Sequence, residues 1–116
     1  MLIDDEELIL KVGKAMLERL GYKVMTARSG QEGVDVVGKG GKEINLIILD
    51  MIMPDMDGRR AFELIHDMAP DIPVLIASGY AMNEDTEAIL EKGGGGFLQK
   101  PYSMKELGRK IIQLLQ

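Results

Sequence analysis

The feature that most constrains the fold of this sequence is a repeated alternation of short apolar runs with segments of helical periodicity. The runs lie at residues 1–3, 22–27, 44–49, 73–77 and 97–99. In the segment after each run, apolar residues recur three or four positions apart, which is the spacing of one helix face. Strands that are apolar nearly throughout are typical of a parallel sheet covered on both faces. The pattern therefore predicts five successive strand–helix units.

Helix start and stop signals support these units. Residues 29–32 and 103–106 match the capping-box pattern, in which a Ser begins a helix and an acid three positions later completes the cap. Gly21 follows the first helical stripe as a C-terminal cap. The second helix is predicted to end within the glycine-rich residues 38–41, and the fourth to cover about residues 84–92.

Right-handed crossovers leave few topologies for five such units. The prediction is an α/β fold with a five-stranded parallel sheet, doubly wound and flavodoxin-like, (βα)5, with strand order 2-1-3-4-5. A chain of 116 residues suffices for one domain with a substantial core. We therefore expect residues 1–116 to form a single domain, whose first strand is short enough to suggest truncation.

Composition excludes several classes of function. The net charge of -5 argues against nucleic-acid binding and against contact with an anionic membrane, because both require clustered Lys and Arg. The absence of Cys excludes disulfides, thiolate metal sites and cysteine nucleophiles. Acidic residues 4–7 stand where a signal peptide would need a basic region, so a cytoplasmic location is the expectation.

Polar side chains follow four of the five predicted strands. Asp4 and Asp5 follow the first, Asp50 the third, Ser78 the fourth and Lys100 the fifth. In open parallel sheets the ligand site lies beyond the carboxyl ends of the strands, at the switch point between the first and third. Three carboxylates converging there would repel one another unless a cation lay among them. Oxygen ligands without His or Cys favour Mg²⁺ over zinc.

A divalent cation beside a carboxylate, a hydroxyl and an ammonium is a set of groups suited to phosphoryl transfer. The carboxylate attacks, the cations neutralise the phosphoryl oxygens, and the hydroxyl donates a hydrogen bond. Any one of these residues alone would be weak evidence, since acids are common at helix N-termini and in turns. The prediction of a phosphoryl-transfer site rests on the suitable polar residues that follow four of the five predicted strands.

These motifs resemble the receiver domains of response regulators and hybrid histidine kinases. The resemblance covers essentially the whole chain and rests on Ile3–Glu6, Leu49–Gly58, Ser78-Gly79 and Lys100-Pro101, in the order found in the family. The turn after Ser78 and the run 97–101 are most similar to receivers of hybrid sensor kinases.

The resemblance implies a phosphoacceptor and a metal site. Asp50 would accept the phosphoryl group and also contact Mg²⁺. Asp5 would bind Mg²⁺ directly, Asp4 would hold it through water, and the backbone carbonyl of Ile52 would complete the protein ligands. No site for an organic cofactor is implied.

The resemblance also implies a switch. Ser78 would be the switch hydroxyl, Lys100 the phosphate-binding ammonium, and Phe97 the aromatic ring that moves inward with the hydroxyl. An ordinary core aromatic at position 97 is equally compatible with the composition. The Lys100–Pro101 bond is cis in the family, whereas the local preference of such bonds favours trans, which is the expectation from sequence.

The function predicted is a phosphoacceptor switch of a two-component system, fed by a histidine kinase or a histidine phosphotransfer protein. The domain would not be an enzyme beyond self-catalysed phosphorylation and dephosphorylation, and homodimerisation through the fourth and fifth helices is a further expectation. Ile52 and Tyr80 flank the site and would restrict hydrolytic water, which suggests a long-lived phosphoryl group.

Two alternatives remain at this stage. One is a receiver-like interaction module that works without phosphorylation. The other is a flavodoxin-like cofactor binder, which would need a Ser/Thr-rich phosphate loop where residues 4–7 are all acidic.

Overall fold

A computed structural model describes residues 1–40 and 43–115, and Gly41, in the predicted end of the second helix, lies outside the described residues. The sheet is parallel and five-stranded, with order β2-β1-β3-β4-β5, so the predicted fold class and strand order are confirmed. In chain order the elements are β1 (Leu2–Ile3), α1 (Glu7–Arg19), β2 (Thr26–Ala27), α2 (Gly30–Gly40), β3 (Ile47–Asp50), α3 (Gly58–Met68), β4 (Val74–Ser78), α4 (Glu84–Glu91), β5 (Gly96–Gln99) and α5 (Met104–Leu115). None of the helices in the described ranges is long and apolar enough to span a membrane.

Two strands are shorter than their apolar runs. The run 22–27 contributes only Thr26 and Ala27 to β2, and the run 44–49 enters β3 only at Ile47. The neighbouring strand β1 limits β2, because β1 offers two residues for pairing, with Leu2 opposite Thr26 and Ile3 opposite Ala27. β3 begins at Ile47, opposite Val74, the first residue of β4.

The sheet separates two hydrophobic cores. The α2–α4 core lies on one face and includes Ile3, Ile47, Leu49, Phe62, Ile65 and Ile89. The α1–α5 core lies on the other and includes Leu2, Leu10, Leu17, Ile48, Leu107 and Ile111. Successive strand residues point to opposite faces. Since both faces are covered by helices, β3 and β4 are apolar at every position before their last residue, as the sequence pattern predicted.

The first residue of α3 packs against the backbone at the end of β3. The amide of Gly58 donates to the Met51 carbonyl at 2.8 Å. A Cβ at position 58 would lie 2.6 Å from the Met51 Cα and 3.0 Å from the Asp50 carbonyl oxygen. These neighbours are backbone atoms, which cannot rotate away. Glycine is therefore required where α3 meets the segment that carries Asp50.

Gly58→Ala is expected to lower the free energy of unfolding by about 2–3 kcal/mol, because overpacking a rigid contact forces the backbone to move. Urea denaturation followed by circular dichroism measures the change. Gly38→Ala, also in a helix, is the control, because its Cβ would make an ordinary contact with the Met68 sulfur at 3.5 Å. Equal stability of the two variants would contradict the prediction.

Candidate functional site

Three of the predicted side chains meet at the carboxyl edge of the sheet. Asp4 directly follows β1 and is 1% exposed, and Asp50 ends β3 and is 6% exposed. The Lys100 Nζ, just after β5, lies 2.6 Å from Asp4 Oδ2 and 3.0 Å from Asp50 Oδ1. One ammonium therefore bridges two buried carboxylates that come from neighbouring strands.

The acidic residues are close enough together to hold one cation. One carboxylate oxygen each from Asp4, Asp5 and Asp50 lies within 4.8 Å of the other two. Asp5 is exposed, whereas its two companions are buried. Carboxylate oxygens alone, with a side open to water, form the donor set that Mg²⁺ prefers, since this ion keeps several of its own waters. These residues therefore fit a magnesium ion.

Backbone hydrogen bonds fix the two buried carboxylates. The Asp4 amide continues the β1–β2 ladder to the Ala27 carbonyl at 3.1 Å, and Asp4 Oδ1 accepts from the Glu6 amide at 3.0 Å. Directly after Asp50, the Met51 amide donates to the Ala77 carbonyl of β4 at 3.1 Å. The sheet thus holds the backbone that carries both carboxylates.

Burial and neighbouring charges shift the protonation of this cluster. Burial raises the pKa of Asp50 to about 6, and the repulsion from Asp4 adds to this, while the Lys100 ammonium opposes it. For Lys100, burial lowers the pKa, but hydrogen bonds and attraction from Asp4 and Asp50 outweigh it, so the pKa is raised overall. Lys100 therefore stays charged at neutral pH.

The raised pKa of Asp50 predicts how stability depends on pH in the absence of divalent metal. The folded-state pKa of about 6 exceeds the ordinary value of 3.8, so the stabilisation from the bound proton is complete below pH 3.8 and is lost as pH rises through about 6. Asp50→Asn, which is neutral throughout, should therefore be more stable than wild type at pH 8 by about 1–2 kcal/mol. The difference should shrink towards pH 4. Thermal unfolding in a metal chelator measures it, and equal midpoints at pH 8 would contradict the expectation.

Ser78 and Phe97 lie on the adjacent strands. Ser78 ends β4 and is buried, and its Oγ accepts from the Tyr80 amide at 3.1 Å. Phe97 lies in β5 opposite Ile76 and is half-buried against the α2–α4 core. The structure places the hydroxyl at the same edge as Asp50, because Ala77 pairs with Asp50 in the β3–β4 ladder. The switch roles of Ser78 and Phe97 and the metal role of the Ile52 carbonyl stay predictions.

The peptide bond between Lys100 and Pro101 is cis, so the expectation of a trans bond is wrong. The intrinsic preference of a peptide bond before proline favours the trans form. Here Lys100 makes contacts with residues that are distant in sequence. The Lys100 amide donates to the Ser78 carbonyl at 2.7 Å, and its side chain reaches the two aspartates.

Two contacts near the site differ from the sequence-based prediction. The Glu32 amide donates to Ser29 Oγ as predicted, but the Glu32 carboxylate accepts from the Arg28 amide, one residue before the Ser. Asp55, which carried no predicted role, accepts from the Gly30 and Gln31 amides at 3.3 and 3.0 Å. It thereby ties the loop after Asp50 to the start of α2. No local sequence signal could have revealed this pairing, because its partners lie about 25 residues away.

A small cavity of about 200 Å³ adjoins the site between the loops that follow β3 and β4. Its lining includes Ile52, Ser78 and Tyr80. Ile52 is 58% exposed and Tyr80 is 64% exposed. Two large exposed side chains therefore line the cavity that adjoins the site.

Comparisons of the sequence and of the structure with known proteins point to the same family. Residues 1–112 match the family model of the response regulator receiver domain. All 116 residues align at 31% identity with the sensor kinase CckA of Brucella abortus (strain 2308), of which they cover 12%. A receiver domain protein (CheY-like) from Methanospirillum hungatei JF-1 superposes with a TM-score of 0.92 at 31% identity, covering 98% of this chain and 90% of the other.

A third comparison concerns a response regulator protein from Burkholderia pseudomallei whose structure has a phosphorylated aspartic acid, a calcium ion and citrate. It superposes with a TM-score of 0.82 at 27% identity, covering 99% of this chain and 64% of the other. The family match spans nearly the whole chain. The five-stranded parallel fold agrees with this family, and so does the cluster of Asp4, Asp5 and Asp50 at the carboxyl edge of the sheet. The chain therefore belongs to the response regulator receiver domain family.

Proposed function

We propose that residues 1–116 form a phosphoacceptor switch of a two-component system, in which Asp50 accepts a phosphoryl group with the help of Mg²⁺. The observation that carries the proposal is the Lys100 ammonium bound to both Asp4 and Asp50, with a carboxylate oxygen of Asp5 within 4.8 Å of oxygens from both aspartates. Fixed positive charge beside a buried carboxylate is the arrangement that phosphoryl transfer requires.

The chemistry assigned to the chain is a single displacement at phosphorus. One Asp50 oxygen attacks, the bond from phosphorus to the donor breaks, and its electron pair leaves with the donor, so an acyl phosphate forms. Lys100 already holds Oδ1, which leaves the other carboxylate oxygen for the attack. Bound Mg²⁺ would supply charge neutralisation, held by Asp4, Asp5 and Asp50.

Ser78 and Phe97 are proposed to couple phosphorylation to a conformational change at the surface of the domain. The Ser78 hydroxyl accepts from the Tyr80 amide and can still donate its own hydrogen to a phosphoryl oxygen. Movement of the hydroxyl towards that oxygen would draw the loop after β4 inwards. Because Phe97 pairs opposite Ile76 in the adjacent strand, the space beside its ring would change with that loop. Such a switch biases an equilibrium between two states of the domain.

A histidine kinase or a histidine phosphotransfer protein is the proposed donor. Large apolar side chains near the acidic edge remain exposed, among them Leu8 at the start of α1, Ile52 and Tyr80. Exposed apolar groups around a reactive carboxylate suit the docking of a partner that presents a phosphorylated side chain. The phosphorylated aspartic acid in the Burkholderia relative supports the same chemistry. Homodimerisation through α4 and α5 stays a proposal.

The alternative of a flavodoxin-like cofactor binder is not favoured. Asp4 and Asp5 place carboxylates at the switch point, where they would repel a cofactor phosphate. The phosphorylation-independent interaction module would leave the buried Asp4–Lys100–Asp50 arrangement without a use.

Ile52 and Tyr80 are expected to prolong the life of the phosphoryl group, because their exposed side chains flank the path of an attacking water. The double variant Ile52→Ala with Tyr80→Ala should lose the phosphoryl group at least about fivefold faster, which is a modest change in barrier. Loss of the adduct from purified phosphoprotein, followed by intact mass, measures the rate. A wild-type half-life of seconds, or no acceleration in the variant, would contradict the expectation.

Thermal unfolding with Mg²⁺ and beryllofluoride, a mimic of the phosphoryl group, tests the proposed site. The midpoint of wild type should rise with Mg²⁺ and rise further when beryllofluoride is added, because a ligand that binds only the folded state stabilises it. Asp50→Asn should lose the second rise. A wild type that responds to neither ligand would favour the interaction module.

A further inference from the structure

The loop of residues 51–57 connects Asp50, at the end of β3, to α3. It contains Ile52, whose carbonyl is a proposed metal ligand, so the position of this loop matters to the site. The two ends of the loop are fixed, because its first amide donates to β4 at 3.1 Å and its last side chain caps α3. The middle of the loop is held by a different element.

Asp55 binds the middle of the loop to the start of α2. Its Oδ1 accepts from the Gly30 amide at 3.3 Å, and its Oδ2 accepts from the Gln31 amide at 3.0 Å. These are the first two amides of α2, which have no acceptor within the helix itself. A carboxylate at this end is also favoured by the helix dipole. One exposed side chain thus attaches the loop to α2 at two points.

Apolar contacts bring the same two segments together. Met53 is buried and Met56 is partly buried, and both pack in the α2–α4 core. A Cβ at Gly30 would lie 3.1 Å from the Met56 Cβ and 3.4 Å from the Met53 Cε. The first turn of α2 is therefore in direct contact with the loop.

α2 also packs against the strand that leads to the other half of the acidic site. A Cβ at Gly33, one turn into α2, would overlap the side chain of Ile3, the last residue of β1. Asp4 and Asp5 follow Ile3 directly. α2 therefore contacts both β1, which positions these two aspartates, and the loop that follows Asp50. The bonds from the loop carboxylate to α2 link the two halves of the site.

We propose that Asp55 is a positioning residue for the metal site, an inference that rests on the function proposed above. By holding residues 51–57 against α2, Asp55 keeps the Ile52 carbonyl within reach of the ion bound by the three aspartates. Both of its oxygens are engaged by α2, so Asp55 acts on the ion through the backbone of the loop. Groups that orient metal ligands in this way commonly contribute about 10- to 100-fold to metal affinity.

Binding of Mg²⁺ to the full chain, measured by isothermal titration calorimetry at physiological ionic strength, tests this role. Asp55→Ala should bind Mg²⁺ about tenfold more weakly than wild type, because the Ile52 carbonyl is no longer held in place.

Two variants are matched controls. Ser29→Ala removes a cap from the same helix end, where the Ser29 Oγ accepts from the Glu32 amide at 3.1 Å. It should lower the midpoint of thermal unfolding as Asp55→Ala does, and leave the Mg²⁺ affinity unchanged. Asp57→Asn removes one charge from the same loop while the cap on α3 is kept, so it measures the effect of charge alone.

The outcomes separate this inference from the proposed function. If wild type binds Mg²⁺ and Asp55→Ala binds it equally tightly, the positioning role is overturned and the metal site stands. An equal loss of affinity in Ser29→Ala or in Asp57→Asn would also overturn the role, since helix stability or charge would then explain the effect. A folded wild type that binds no Mg²⁺ would overturn the metal site and the inference together.

The rate of phosphorylation by acetyl phosphate gives a second readout that a direct chemical role would not reproduce. In Asp55→Ala the Mg²⁺ concentration at half-maximal rate should rise about tenfold, while the rate at saturating Mg²⁺ stays within about twofold of wild type. A lower saturated rate with an unchanged half-maximal concentration would overturn the positioning role.

Discussion

Replacement of Lys100 by Met is expected to destabilise the domain strongly when divalent metal is absent. The Lys100 side chain is only 17% exposed and its ammonium bonds to both Asp4 and Asp50, so its loss leaves two buried carboxylates without an opposite charge. Breaking a buried pair in this way typically costs about 3–5 kcal/mol. We expect a fall of roughly 10–20 °C in the midpoint of thermal unfolding at pH 8.

Mg²⁺ should restore much of that loss, because the ion brings positive charge to the same carboxylates. The Lys100→Met variant should nevertheless be phosphorylated at least about 100-fold more slowly than wild type, since the ammonium is no longer beside the phosphoryl oxygens. Lys105→Met, on the exposed surface of α5, is the matched control and should behave like wild type. A Lys100→Met variant as stable as this control in a metal chelator would contradict the account of the buried cluster.

Asp50→Asn is expected to abolish the Mg²⁺-dependent phosphoryl adduct completely, because an amide oxygen is too weak a nucleophile to form the acyl phosphate. Asp57→Asn is the matched control. Asp57 lies in the same loop and caps α3 by accepting from the Arg60 amide at 2.8 Å, and Asn caps helices equally well. Intact mass after incubation with acetyl phosphate measures both variants. An adduct that persists in Asp50→Asn, or disappears in Asp57→Asn, would place the phosphoacceptor elsewhere.

Much of the candidate site was accessible from the sequence because its residues follow buried strands. A run such as 47–49 is apolar because helices cover both faces of the sheet, and the residue that ends it, Asp50, must then lie at the carboxyl edge. The same reasoning placed Asp4 and Lys100. Parallel topology converts these separate positions into one cluster, which is why a one-dimensional pattern could predict a three-dimensional site.

The features that sequence did not predict depend on contacts between distant residues. The cis bond before Pro101 and the capping of α2 by Asp55 both involve partners in other elements, for which local preferences carry no information. The shortness of β2 likewise follows from β1, not from residues 22–27 themselves. A strand is defined by its neighbour, so an apolar run predicts where a strand can form and not how far it is paired.

The measurement that tests the central claim most directly is the rate at which wild-type protein gains a phosphoryl adduct from acetyl phosphate, followed by intact mass over a titration of Mg²⁺. The account predicts that one adduct per chain forms, that its rate rises with Mg²⁺ and saturates, and that a chelator prevents it. A folded wild type that gains no adduct at saturating Mg²⁺, or gains it equally fast in the chelator, would contradict the claim that Asp50 and its acidic neighbours form a metal-dependent phosphoacceptor.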